Sequence, residues 1–336
     1  MYQIDETRMI KAARASLPLG SPTPSIFREG MIFLLVALIC SLAQSVISAT
    51  VQTFAMTADP AYYELVLSED FSISAMLEYV SSFMENAPSW MNAVTLGASG
   101  IMILGAIVYC KAFQKRSPFT LGFNKRGVLP EYLMGIVIGA VMIALPAFVC
   151  AYTKCITFTV SGKTAPSMIA IYLLAFVLQG MGEEALFRGY FMTDLARRYN
   201  VWVAIICSAL MFAAFHMGNP NFSFIAFINI TLFGIFAGVF MLKRGSIWAI
   251  GAIHSAWNFV QSNVLGFSVS GNPKFDSLLT ATDNGFGSIL SGGEFGLEGG
   301  LGATIVLLIA ILFALLMPTK NSERVAPATS TEQPTE

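Results

Sequence analysis

The sequence predicts an all-α fold, a polytopic transmembrane helical bundle of about eight spans. Three observations predict it. Hydrophobic residues fill 55% of the 336 positions and charged residues only 12%, roughly half the charged share of a soluble domain. Apolar runs of about 20 residues recur along the chain, the length that crosses ~30 Å of hydrocarbon as a helix. The lysines and arginines fall almost entirely in alternate connections between those runs.

The predicted spans are Met31–Thr50, Met91–Cys110, Leu133–Tyr152, Ser167–Ala185, Val201–Met217, Phe222–Leu242, Ile247–Leu265 and Leu301–Met317. Hydrocarbon leaves no water to satisfy backbone groups, and runs this long without alternation close their own hydrogen bonds as helices. Of the 19 basic residues, sixteen lie before span one, between spans two and three, four and five, six and seven, and after span eight. The other three, Lys154, Lys163 and Lys274, lie in the intervening connections. The positive-inside rule then puts both termini in the cytoplasm of a multi-pass plasma-membrane protein. The near-neutral net charge of -1 gives no electrostatic reason to expect nucleic acid as a partner.

The spans divide the chain into six parts. Residues 1–30 form a cytoplasmic N-terminal segment, which lacks the short charged stub and apolar stretch of a cleaved signal peptide. Residues 31–160 hold the first spans, with an acidic external segment at 51–90 in which Phe71–Phe83 has a helical apolar rhythm. A core at 161–266 carries the intramembrane polar residues. A glycine-rich external loop at 267–300 precedes the last span at 301–317, and the Thr/Ser/Pro/Glu-rich tail at 318–336 is expected to be disordered. The five cysteines are scattered without a CxxC pair, as expected of small core residues and not of a disulfide or thiolate-metal framework.

Ionisable side chains inside a membrane are costly, so their positions are informative. Near the cytoplasmic end of span four stands Gly182-Glu183-Glu184-Ala185-Leu186-Phe187-Arg188. Glu184 and Arg188 are four apart with the acid first, the favourable order for a helical ion pair. Glu183 points about 100° away, leaving it free to act as a general base; a snorkelling helix end would look the same. Span five carries Phe212…His216, and span seven carries His254…Asn258, which share one helix face. The histidines and the asparagine could donate to an oxyanion or ligate a metal, or simply clamp helices together. Counting rise from the cytoplasmic ends sets Glu183 and His254 within roughly 10 Å of that face and His216 deeper. That mismatch requires an interfacial helix over Phe191–Asn200 before span five, or a tilted or broken helix.

In order and spacing, Glu183-Glu184…Arg188, Phe212…His216 and His254…Asn258 resemble the EExxxR, FxxxH and HxxxN signature of the CPBP family, the CAAX proteases and bacteriocin-processing enzymes also called Abi proteins. Phe233-Gly234…Gly238 and Gly245-Ser246-Ile247-Trp248 resemble its connecting segment, and the likeness runs from about Ser167 to Leu265. The resemblance implies an intramembrane endopeptidase acting on a peptide or protein substrate. Glu183 would activate water, Glu184 and Arg188 would hold the helix, His216 would orient the water, and His254 and Asn258 would stabilise the oxyanion. Relatives have been read both as glutamate proteases and as metalloproteases. A divalent metal such as Zn²⁺ therefore stays open, although the compact HExxH arrangement is absent. Two other readings compete: a non-catalytic bacteriocin-immunity or scaffold protein, and a proton-coupled transporter, the latter disfavoured because no internal repeat is seen. Oligomeric state is not legible.

Overall fold

A computed structural model of the chain describes residues 7–18, 24–162, 164–285 and 287–319. The expected tail at 320–336 and Lys163 lie outside the described residues. A short helix α1 (Arg8–Ala15) precedes α2 (Ile26–Thr57), α3 (Pro60–Val66), α4 (Ile73–Glu85) and α5 (Ser89–Gly97). One 3-10 turn joins α5 to α6 (Ile101–Ala112), and α7 (Val128–Tyr152) follows. The site-bearing half contains α8 (Pro166–Glu184), a π-helical stretch at Ala185–Met192, α9 (Thr193–Arg198), α10 (Val201–Phe215), α11 (Phe224–Arg244) and α12 (Trp248–Phe259). A second π stretch, Val260–Val264, prolongs α12; α13 (Ser288–Ser291) and α14 (Leu301–Leu316) complete the chain.

Every predicted span is occupied by helix. Five continuous helical runs, Ile26–Thr57, Ser89–Ala112, Val128–Tyr152, Pro166–Arg198 and Phe224–Arg244, are long and apolar enough to cross a membrane. The α10 and α14 helices are shorter apolar helices. Exposed leucine, isoleucine, valine and phenylalanine side chains line the outer faces of α2, α7 and α14. An apolar surface this continuous fits lipid and would be a liability in water. The chain is a multi-pass helical membrane protein.

Two features depart from the sequence expectation. The segment at 267–300 is not a plain loop. Leu279–Asp283 forms a strand, β2, paired antiparallel with β1 (Ile156–Val160), with Ile156 opposite Asp283 and Val160 opposite Leu279. Phe267, Val269, Phe295 and Leu297 from the same segment are buried. Both strands do alternate apolar residues with threonine, as in Ile156-Thr157-Phe158-Thr159-Val160, but at five residues each the signal is short beside the long apolar runs of the spans. The predicted helix in the acidic segment is present as α4, capped at its start by Ser72.

The second departure settles the depth mismatch. Span four does not end at Ala185: helix continues unbroken from Pro166 to Arg198, a run of 33 residues. Glu183 therefore lies near the middle of that run and not near a helix end. Both Glu183 and His216 stand about 22 Å along their helices from the Arg198–Val201 turn, at ~1.5 Å rise per residue. Polar residues hid the extension, because Arg188, Asp194, Arg197 and Arg198 interrupt the hydropathy. They are accommodated by partners: Asp194 pairs with Arg197 at 2.9 Å, and α1 packs over α9, where Arg14 donates to the Ala196 carbonyl. Residue 189 stands level with the start of α12, since Gly189 approaches both Ile247 and the Leu121 carbonyl.

Small residues let α12 enter the centre. A Cβ on Gly139 of α7 would lie 2.3 Å from the Ile253 carbonyl oxygen, and one on Gly180 of α8 would lie 2.7 Å from the Ser255 amide nitrogen. Close helix approach at small residues is the usual packing solution where lipid offers no hydrophobic drive. Four cysteines are buried and Cys207 is half-buried, all as free thiols.

Gly139→Val should destabilise the bundle by about 1–3 kcal/mol through overpacking against backbone. Gly30→Ala, where a Cβ meets nothing within 4 Å, should be neutral. Thermal unfolding in detergent checks both, and equal midpoints for the two variants would refute this account of how α7 and α12 pack.

Candidate active site

Three helical runs bring the predicted residues together. Glu183 and Glu184 end α8, Arg188 sits one turn further along the π stretch, His216 caps the end of α10, and His254 and Asn258 lie on α12. All eight residues of the π stretch are buried. Such wide turns are rare and recur at functional sites.

The predicted ion pair is present. Arg188 Nη1 donates to Glu184 Oε1 at 3.0 Å, and both side chains are fully buried. The rest of the guanidinium is served by aromatic rings instead of hydrogen bonds: its Nε and Nη2 have no partner among the described residues. Its carbon lies 4.2 Å from the centroid of the Phe212 ring and 5.9 Å from that of Phe233. A desolvated cation is attracted to a ring face. This gives Phe212, four residues before His216, a physical task of its own.

His254 lies between the two carboxylates. Its Nδ1 is 2.9 Å from Glu184 Oε1, and its Nε2 faces Glu183 Oε2 at 3.7 Å. With Nδ1–H given to Glu184, Nε2 is turned to the space beside Glu183. A carboxylate on one ring nitrogen fixes both tautomer and ring orientation. The ring is further held edge-on to Phe212 and Phe233, with centroids 6.0 and 5.0 Å away.

Glu183 has a different environment from its neighbour. Its Oε1 accepts from Gln179 Nε2 at 2.6 Å, and Gln179 Oε1 accepts from Asn258 Nδ2 at 2.9 Å. Its Oε2 has no hydrogen-bond partner among the described residues. The sequence expectation gave Asn258 to an oxyanion; here one of its two N–H groups holds Gln179, which leaves the other. Gln179 was not singled out in the sequence. Its signal was a lone carboxamide in an apolar run, one helical turn before Glu183.

His216 shares the cavity but not the pairing. Its Nδ1 is 2.8 Å from the Phe212 carbonyl, and neither carboxylate is within ion-pair distance of it among the described residues. It stands where two spaces meet. One is a narrow chamber of about 30 Å³ beside His254, Asn258 and Asn229, room for roughly two water molecules. The other is a cavity of about 530 Å³ whose wall includes Glu183. Gln179 and His216 line both.

Glu298 was also missed. It closes the narrow chamber from the segment after β2, accepting from Trp257 Nε1 at 3.0 Å and from the Ser270 amide and hydroxyl at 2.8 and 2.7 Å. Nothing in a glycine-rich stretch marks one glutamate above another.

Among the described residues no three His, Cys, Asp or Glu side chains are grouped to hold a metal ion. Glu184 Oε1 and His254 Nδ1 are engaged with each other, and His216 Nδ1 with its own helix. What the arrangement offers is an unpaired carboxylate oxygen on Glu183, and an adjacent imidazole nitrogen and a spare carboxamide N–H beside the narrow chamber, with Gln179 and His216 where the two spaces meet. These groups could take a proton from water and stabilise a developing oxyanion.

Comparison with known proteins finds a likeness to one curated protein and to one family model. A curated, uncharacterized 24.3 kDa protein of Escherichia coli is 26% identical over 123 residues, 36% of this chain and 54% of that protein. The chain thus spans about half the length of that relative. Residues 164–260 match the family model of Rce1-like type II CAAX prenyl endopeptidases. That match, which includes Glu183, His216, His254 and Asn258 but not Glu298, is consistent with a CPBP family intramembrane protease.

Proposed function

We propose that this protein is an intramembrane endopeptidase that cleaves a membrane-associated peptide or protein segment with water activated by Glu183. The observation that carries this reading is the His254 imidazole held between two adjacent carboxylates, one ion-paired and one with an oxygen that has no hydrogen-bond partner among the described residues. The family match over 164–260 supports peptide-bond hydrolysis as the reaction class.

In the proposed reaction Glu183 Oε2 takes a proton from water as the water oxygen attacks the scissile carbonyl carbon. The carbonyl electrons move to oxygen, and the oxyanion accepts hydrogen bonds from the spare Asn258 N–H and from the Nε2–H of His254, which enters and leaves the reaction as the imidazolium between the two carboxylates. Collapse of the intermediate breaks the C–N bond, and the leaving nitrogen takes the proton from Glu183. Gln179 positions Glu183, while Glu184 and Arg188 position His254. His216, at the junction of the two spaces, orients the water. Water activation in this scheme uses no metal.

Glu183→Gln should lower cleavage about 10²–10⁴-fold, the usual worth of general acid–base catalysis, with expression and folding retained. Comparing membrane-peptide profiles of cells carrying wild type or the variant measures this and identifies products; identical profiles would end the proposal. Chelation should leave the activity intact, and activity lost to chelator and restored by Zn²⁺ would assign a metal instead.

Arg188→Met should cost about 3–5 kcal/mol, because it leaves Glu184 buried without its counter-charge. Glu184→Gln combined with Arg188→Met should recover a substantial part of that loss. Thermal unfolding of the two variants in detergent is the check, and a single variant as stable as wild type would show that the pair holds nothing.

A further inference from the structure

The 530 Å³ cavity is not symmetric about Glu183. Along α5 and its continuation into α6, Asn92, Thr95, Ser99 and Met102 face it on successive turns. These eleven residues of helix span ~15 Å. They run from the bundle end that carries α3, α4 and the β1–β2 sheet down to the level of Glu183. The lower level is fixed independently, since a Cβ on Gly182 would lie 2.7 Å from the Ser99 carbonyl. At the upper end the lining passes to Glu85 of α4 and Asn272 of the segment before β2, both exposed.

The opposite direction is closed. Phe33 of α2, fully buried, stacks on Phe191 with centroids 4.3 Å apart and meets Phe187 at 5.2 Å and Phe215 at 5.9 Å. Tyr109 packs on Tyr190 at 4.8 Å just behind, and α1 covers the end of the bundle beyond. This closed end is the basic one: Arg14, Arg116, Arg197, Lys243 and Arg244 all lie there.

We infer that Glu183 is reached through a water-filled slot from the non-cytoplasmic side, so that the substrate is a peptide segment presented outside the cytoplasm. The open end is the one that has few basic residues, which the positive-inside rule assigns to the exterior. The α5–α6 wall of the slot carries neutral amides and hydroxyls with Met102 at its foot, and the other carries Phe176 and Phe275. A strip of donors and acceptors beside an apolar wall suits an extended backbone with apolar side chains. The identity of the occupant as a substrate rests on the proposed peptidase; the slot and its direction do not.

The test reads the slot without catalysis. Single cysteines replace Asn92, Thr95 and Met102, with Lys125→Cys as a marker for the basic end. Intact cells are treated with a membrane-impermeant maleimide, and wild type with its own cysteines gives the background. Each variant is first required to elute from a sizing column as the wild type does. Asn92→Cys, Thr95→Cys and Met102→Cys should label as fast in intact cells as after permeabilisation, and Lys125→Cys only after it. Labelling of Thr95→Cys and Met102→Cys that requires permeabilisation, or fails in both conditions, would overturn the slot. Labelling of Lys125→Cys from outside would overturn its direction. None of these results depends on Glu183, so loss of the peptidase reading and loss of the slot are told apart.

Discussion

The site depends on one buried charge pair. Glu184 and Arg188 are both without solvent, in a medium where a lone ion is very costly. Their attraction offsets that cost only because each has further partners. Glu184 also takes the His254 N–H, and Arg188 lies on the face of Phe212. His254 is thereby anchored to α8 from α12, and Phe212 to α8 from α10. Three helices are registered by two charges, and the neighbouring Glu183 inherits its position from that registration.

Packing then sets the distances. Gly180 against Ser255 and Gly139 against Ile253 allow α12 to approach α8 and α7 closer than side chains would permit. Without that approach His254 could not span from Glu184 to the vicinity of Glu183. The long α8–α9 run does the corresponding work in depth. By extending past Ala185 as a π stretch and then α9, it carries the glutamates to the middle of the bundle, level with the end of the short α10. Glu298 adds closure from outside the membrane-spanning core, tying the segment after β2 to Trp257 and Ser270.

Much of this was legible in the residues. Apolar runs and basic asymmetry gave every span, and i,i+4 spacing gave the Glu184–Arg188 pair and the shared face of His254 and Asn258. What hydropathy could not give was the true end of span four, because Arg188, Asp194 and Arg197 look like a cytoplasmic boundary when their buried partners are unknown. Gln179 escaped because one amide in an apolar run is indistinguishable from a packing residue until its neighbours across the helix pair are seen. Glu298 and the β1–β2 pairing escaped for the same reason at longer range, since their partners lie far away in sequence. Local periodicity reports on elements; it is silent on which polar groups satisfy one another across them.

The division of labour between two adjacent glutamates follows from environment and not from residue type. Glu184 is committed to Arg188 and His254. Glu183, one position earlier, keeps an oxygen without a hydrogen-bond partner among the described residues, and its side chain lines a cavity. In the proposed reaction the proton leaves water for Glu183 as negative charge moves to an oxyanion beside His254 and Asn258. Charge is therefore displaced over a few ångströms and none is created, so the low-dielectric surroundings strengthen the stabilising hydrogen bonds without penalising a new ion. A site built this way needs water at one point only. His216 and Gln179 stand where the narrow chamber meets the cavity that Glu183 lines, and the aromatic layer around Phe33 packs the opposite side.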